Sequence, residues 1–295
     1  MRRPAEEIRA LPFLEGGDRL ELSRLIPFLL VHLASLGVFL IPFEAGYVGL
    51  AIGFYYLRMF GITAGYHRYF SHRSFKTGRV FQFLLAWLAV SSAQKGVFWW
   101  VAHHREHHRI SDQPGDIHSP VQRSLWWSHA GWIFEARNGK PDLARVADLT
   151  RFPELRWLEK WDLLPPVTLA AGLLLWGRLP ALIWGFFVST TLLWHGTYTI
   201  NSLAHLIGSR RYPTRDDSRN NWFLAILTLG EGWHNNHHFY QPAANQGFFW
   251  WEFDPTFYVL KALSWIGVVW DVRTPPWRVL EAGAGHGMDI PPPTC

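Results

Sequence analysis

The apolar positions of this chain fall in long runs separated by strongly polar stretches, rather than recurring at the three-to-four spacing of a half-buried soluble helix. Residues 25–43 are 19 positions without a charge, which at ~1.5 Å of rise each approaches the ~30 Å hydrocarbon thickness of a bilayer. After Glu44-Ala45-Gly46, residues 47–66 form a second run interrupted only by Arg58, whose charge must snorkel or meet a polar partner. The two predict a helical hairpin. Residues 163–200 are a 38-residue apolar stretch whose one charge, Arg178, sits in the turn-forming sequence Gly177-Arg178-Leu179-Pro180, so a second hairpin is predicted. Residues 80–101 are also apolar, but they contain Ser91, Ser92, Gln94 and Lys95. A crossing there would separate the histidine-rich segments at its two ends, so this segment is expected to lie in the interface or dip into the protein.

Basic residues test this topology. Five Lys or Arg precede the first run, fourteen lie between the second run and the third, and seven follow the fourth. With all of these on one side, 26 of the 28 are cytoplasmic, as the positive-inside tendency asks. The expectation is a cytoplasmic segment over 1–24, a membrane domain over 25–282 and a flexible tail over 283–295, with both termini cytoplasmic. Residues 1–24 lack the basic stretch and small-residue cleavage site of a secretory signal.

Composition removes several function classes. The net charge of +5 accompanies no nucleic-acid motif and reads as membrane orientation. Cys295 is the only cysteine, so neither an internal disulfide nor a thiolate metal site is available.

Chemistry is carried by histidine. Of 15 histidines, eight form compact groups: His67 and His72; His104, His107 and His108; His234, His237 and His238. On a helix, residues four apart share a face, so His104 and His108 suit one metal while His107 turns toward another. His234 and His238 repeat this geometry with His237 displaced. Asn201 and His205 form a third pair four apart. Nine histidines oversupply a single ion and suit two, although imidazole by itself does not separate iron from zinc. His32, His195 and His286 read as ordinary interfacial residues, and His103, His118 and His129 as donors beside the site or as uninvolved.

Gly61-Ile62-Thr63-Ala64-Gly65-Tyr66-His67-Arg68-Tyr69-Phe70-Ser71-His72-Arg73-Ser74 closely resembles the first histidine box of the stearoyl-CoA desaturase family. So do the boxes His104-Arg105-Glu106-His107-His108 and Gly230-Glu231-Gly232-Trp233-His234-Asn235-Asn236-His237-His238, together with Asn201-Ser202-Leu203-Ala204-His205. The resemblance covers roughly residues 25–270. It implies an all-α integral membrane protein with four transmembrane helices in two hairpins and a cytoplasmic helical cap holding a histidine-rich di-iron site. One iron would take His67, His72, His104, His108 and His237; the other would take His107, His205, His234 and His238, with Asn201 acting through a water. No catalytic residue beyond the metal ligands is implied.

The implied activity is O2-dependent insertion of a cis double bond, usually between carbons 9 and 10, into a saturated fatty acyl chain. Acyl-CoA is the expected substrate; acyl-lipid or acyl-carrier-protein desaturation and di-iron hydroxylation are the alternatives. Arg105, Arg109, Arg123 and Arg137 are offered to a substrate phosphate, although Ala102-His103 replaces the Arg-Asp pair that animal acyl-CoA members carry before the second box. The chain has no flavin fingerprint and no iron–sulfur ligands. Electrons would come from an external donor such as ferredoxin, rubredoxin or cytochrome b5 with its reductase, steered by Arg210, Arg211, Arg215 and Arg219.

Overall fold

A computed structural model describes residues 18–284. The expectations for residues 1–17 and for the tail from residue 285 lie outside the described residues. Within them the chain is mostly helical: α1 (Leu22–Ser35), extended by a 3-10 turn (Leu36–Leu40); α2 (Ala45–Phe60), continued by wide π-helical turns (Gly61–Ser71); α3 (Arg79–Val90); α4 (Val97–Ile110); α5 (Pro153–Lys160); α6 (Leu164–Leu182); and α7 (Ser189–Asn201). Four shorter helices follow: α8 (Trp222–Leu227), α9 (His234–Phe239), α10 (Pro255–Trp265) and α11 (Trp277–Gly283). Their starts are written in the sequence. Asn221 caps α8 by accepting from the Phe223 and Leu224 amides, and Asp254 caps α10 by accepting from the Phe257 amide. A two-residue ribbon, Lys76–Thr77 against Val269–Trp270, ties the end of the first box region to the C-terminal part.

Three helical runs are long and apolar enough to cross a membrane: Leu22–Leu40, Ala45–Ser71 and Leu164–His205. The third is broken at the predicted turn. Gly177 (φ −126°, ψ 20°) and Arg178 (φ 56°, ψ −155°) leave helical geometry, and Leu173 packs with Ala181 and Phe186 across the break. Residues 80–101 do not form one helix either, because the chain turns between α3 and α4. Leu29, Leu30, Leu33, Phe39 and Leu40 stand exposed along the first run, an outward apolar face suited to lipid.

Arg58 finds polar partners inside the bundle. Its guanidinium donates to Ser189 Oγ (2.6 Å), Thr190 Oγ1 (2.8 Å) and the Ser91 carbonyl (3.3 Å), which joins the two predicted hairpins through one cation.

The π-helical continuation of α2 is pressed against α3. A Cβ on Gly61 would come within 2.9 Å of the Leu88 carbonyl carbon and the Ala89 amide nitrogen, and one on Gly65 within 3.2 Å of the Leu85 carbonyl oxygen. Two glycines four apart let the backbones approach, which sets the height at which His67 and His72 emerge. Gly61→Val is expected to destabilise the protein by ~1–3 kcal/mol through overpacking, read as a lower thermal midpoint in detergent; an unchanged midpoint contradicts the packing role.

Candidate metal centre

Four elements deliver the histidines. The π-helical turns carry His67, with His72 just beyond them; α4 carries His104, His107 and His108; the turn after α7 carries His205; α9 carries His234, His237 and His238. Their ring nitrogens gather in two groups. His67, His72, His104, His108 and His237 bring one ligand nitrogen each within 4.8 Å of all the others, and His107, His205, His234 and His238 do the same. The split by helical face therefore appears in space: His107 turns away from His104 and His108, and His237 turns away from His234 and His238. The Asn201–His205 expectation needs correction in its geometry. α7 ends at Asn201, Ser202 departs from helical ψ (φ −111°, ψ −72°), and His205 sits in a separate 3-10 turn. Asn201 lines a small cavity together with His67, His104, His107 and His234.

The spacing fits metal ions. Nε2–Nε2 separations are 2.8 Å for His72–His104, 3.0 Å for His67–His237 and His108–His237, and 3.1 Å for His205–His234. With metal–nitrogen bonds of about 2.1 Å, ligands at right angles lie about 3.0 Å apart and tetrahedral ones about 3.4 Å apart. The observed values are of the size expected for imidazole nitrogens that share an ion. His238 Nε2 is buried without a hydrogen-bond partner, a lone pair kept for such an ion. Burial, followed by the neighbouring imidazoles, pushes His72, His104, His108, His234 and His237 well below the ordinary histidine range, so their lone pairs stay free at neutral pH.

Buried carboxylates orient the rings from behind. His107 Nδ1 meets Asp116 Oδ2 (3.0 Å), His205 Nδ1 meets Asp112 Oδ2 (2.7 Å), His238 Nδ1 meets Asp216 Oδ2 (2.7 Å), and His67 Nδ1 meets Glu231. Burial alone would raise these acids. Hydrogen bonding and charge from His205 outweigh it and bring Asp112 down to about 2, and His107 and His238 likewise hold Asp116 and Asp216 far below the carboxylate range. Glu231 also accepts from Arg68, which is itself held by Asp254 at 2.9 Å. Sequence reading passed over all four acids. The rule that a ligating histidine gives its second nitrogen to a carboxylate signalled that such acids exist, but the partners of His205 and His238 lie 93 and 22 positions away. Asp116 and His118 also approach His107 closely, but Asp116 is already bonded to the back of that ring.

The other candidates are placed as follows. The His118 ring packs against His107 at a tilt of 32°, with ring centroids 4.2 Å apart. His103 bonds the Trp99 carbonyl. His32, His195 and His129 form a hydrogen-bonded row away from both groups, at 3.0 and 2.9 Å. The four arginines offered to a phosphate each pair with a carboxylate: Arg105 with Asp148, Arg109 with Glu106, Arg123 with Asp18, and Arg137 with Asp18 and Glu135.

α4 is anchored at its N-terminus by Glu159 of α5, whose carboxylate accepts from the Phe98 (2.7 Å) and Trp99 (3.1 Å) amides. Burial outweighs those donors and pushes Glu159 up to about 7. A carboxyl raised on folding favours the folded state below its ordinary range and weakens it as pH climbs through the folded value. Glu159→Gln is therefore expected to flatten the pH dependence of thermal unfolding between about pH 4.5 and 7; a slope as steep as wild type refutes this.

Beside the first group lies a cavity of about 420 Å³ lined by Trp99, Trp100, His104, His118, Trp132 and Trp194, and extending to α1 and α6. Its wall is mainly apolar and it ends against candidate ligands. A slender hydrocarbon chain suits such a space.

Residues 44–266 match the model of the fatty acid desaturase family. The chain belongs to this family. It is 38% identical over 252 residues to an sn-1 stearoyl-lipid 9-desaturase of Synechocystis, covering 84% of this chain and 79% of that one. It is 38% identical over 253 residues to a chloroplastic palmitoyl-monogalactosyldiacylglycerol delta-7 desaturase of Arabidopsis thaliana (83% and 67%), and 38% over 220 residues to an acyl-CoA 5-desaturase of Anemone leveillei (74% and 68%). As a member of the desaturase family the protein is an oxidoreductase of lipid metabolism, with histidine clusters and apolar helices that fit a metal site and a membrane.

Proposed function

We propose that this desaturase introduces a cis double bond, between carbons 9 and 10, into a saturated fatty acyl chain at a di-iron centre. The observation that supports the reading is an apolar cavity whose wall reaches His104, a member of one of the two convergent histidine sets. The ligand sets are those of the resemblance: His67, His72, His104, His108 and His237 on one ion, and His107, His205, His234 and His238 on the other, with Asn201 acting through a water. The choice of iron rests on the resemblance of the histidine boxes, since imidazole by itself does not separate iron from zinc. Two bound iron ions would supply the O2-dependent oxidising power needed to break C–H bonds that no neighbouring group acidifies.

The balance is –CH2–CH2– + O2 + 2 e⁻ + 2 H⁺ → –CH=CH– + 2 H2O. The chain's own residues do the rest: the Trp99, Trp100, Trp132 and Trp194 walls hold the hydrocarbon and exclude water, and the four acids fix the imidazole orientations. The two electrons come from a separate carrier of the ferredoxin or cytochrome b5 kind. Arg215 is exposed on the loop that carries Asp216, whereas Arg210 and Arg211 are engaged with Asp217 and Glu252.

The break at Gly177 and Arg178 supports four spans. That topology would set the ends of α2 and α7 and the starts of α1 and α6 on one face, and the basic-residue distribution supports a cytoplasmic reading of it. Residues 25–282 then form the membrane domain. Expression in a host lacking monounsaturated lipids is expected to yield O2-dependent cis monoenes by gas chromatography. Hydroxylated chains alone would point to the monooxygenase alternative.

A further inference from the structure

Two histidines stand inside runs long and apolar enough to cross a membrane: His32 in α1 and His195 in α7. Ionisable groups are rare there and mark function, proton relays among them. The two Nε2 atoms meet at 3.0 Å. The row continues from His195 Nδ1 to His129 Nε2 (2.9 Å), on the turn Trp127–Gly131, and from His129 Nδ1 to Ser202 Oγ (3.1 Å), just past α7. His195 gives one ring nitrogen to each neighbour, so the three rings form a line rather than converging on one ion.

The groups at the two ends dictate where the protons of this row sit. His32 Nδ1 faces the Phe28 carbonyl at 2.7 Å, which only accepts, so His32 keeps its proton there and turns a bare Nε2 toward His195. At the other end Ser202 Oγ donates to the Tyr198 carbonyl at 2.8 Å. His129 Nδ1 then donates to the serine oxygen, and a bare His129 Nε2 faces His195. Three neutral imidazoles bring three N–H groups to four contacts, so this arrangement is complete only with a fourth proton, carried by His195 as imidazolium. When Ser202 turns its hydroxyl to His129 instead, three suffice: His129 donates to His195, and His195 to His32. The two complete states differ by one proton, and His32 holds its own in both. The Phe28, Trp194 and Tyr198 rings flank the row. Burial, followed by the charge on His195, pushes His129 down to about 4, so a proton that reaches it passes on readily.

We propose that His195, His129 and Ser202 relay protons toward the metal centre, with His32 fixing the far end. The proton on His195 Nδ1 moves to His129 Nε2, the one on His129 Nδ1 moves to Ser202 Oγ, and the serine proton leaves toward the small cavity lined by Asn201, the residue before it. One proton enters the row for each that leaves, and no electron moves. Ser128 Oγ, beside His129, donates to the Asn201 carbonyl at 2.5 Å, which ties the exit to the row. His129 and His195 are half-buried, so the row is recharged from outside the bundle. The destination rests on the desaturase reading, whose balance draws two protons from solution for each double bond.

Two measurements on the full chain test this. In the metal-free protein, nitrogen NMR of labelled histidine is expected to show His32 protonated on Nδ1 and a coupling between His195 and His129 across their hydrogen bond; absence of that coupling overturns the row. In vesicles of 1-stearoyl-2-oleoyl-phosphatidylcholine supplied with ferrous iron, a chemical reductant, O2 and stearoyl-CoA, His129→Gln is expected to lower kcat by about tenfold or more, with KM and iron content unchanged and a larger solvent deuterium effect. Added imidazole is expected to restore much of the turnover lost in His129→Ala. Wild-type turnover in His129→Gln overturns the relay, as does a loss in His129→Ala that imidazole leaves untouched; both leave the desaturase reading standing. No monoene from the wild-type chain overturns the desaturase reading and with it the destination of the protons, while the NMR coupling still decides the row.

Discussion

His107→Ala abolishes turnover while the chain still inserts in the membrane, and iron content falls from about two ions per chain toward one: this is the largest effect expected of any single substitution. His107 belongs to the group of four, and its loss leaves His205, His234 and His238 to hold that ion. The group of five keeps all its members. The histidine is buried in α4 but contributes little to the packing of the membrane runs, so insertion is spared. It also releases Asp116, which then has a buried carboxylate without its imidazole partner. Iron analysis and product chromatography on membranes from the same preparation check both halves of the prediction, and activity near wild type would show that the group of four holds no catalytic metal. His32→Ala serves as the comparison. Its ring bonds to Phe28 and His195 on a row away from both groups, and most activity is expected to survive.

Asp216→Asn is expected to lower iron affinity about 10- to 100-fold and activity with it, although Asp216 touches no metal position. The carboxylate fixes His238 with Nδ1–H toward the acid and the Nε2 lone pair toward the centre. An amide turned the wrong way offers that nitrogen an N–H instead of an acceptor and rotates the ring or changes its tautomer. Asp112→Asn should act likewise through His205, and the two substitutions together should approach the His107→Ala phenotype. Titration of the metal-free protein with ferrous iron measures the effect directly. Excess iron should restore much of the activity of Asp216→Asn but not of His107→Ala, a difference that separates a positioning role from a ligand role.

The histidine groups show how far local pattern reaches. His104, His107 and His108 occupy one short helix, so their division between two sites follows from 3.6 residues per turn, and the same holds for His234, His237 and His238. Asn201 and His205 have the same spacing but do not share a helix. Ser128 Oγ donates to the Asn201 carbonyl at 2.5 Å and His129 meets Ser202 Oγ at 3.1 Å, and these long-range contacts accompany the break that turns His205 inward. Arg58 was legible as a charge in need of a partner. Its partners, Ser189 and Thr190, were not, because they lie more than 130 positions along the chain.

Sequence alone determined the apolar runs, the turn at Gly177-Arg178, the histidine boxes and the family they resemble, since each depends on residues near one another along the chain. Tertiary structure decided which acids stand behind the histidines, which carboxylates the arginines offered to phosphate pair with, and that the cavity extends to α1 and α6. The physical reason is the same in each case. Periodicity fixes the direction of a side chain on its own helix, whereas neutralising a buried charge or closing a cavity depends on which distant segment packs opposite, and no short-range pattern encodes that choice.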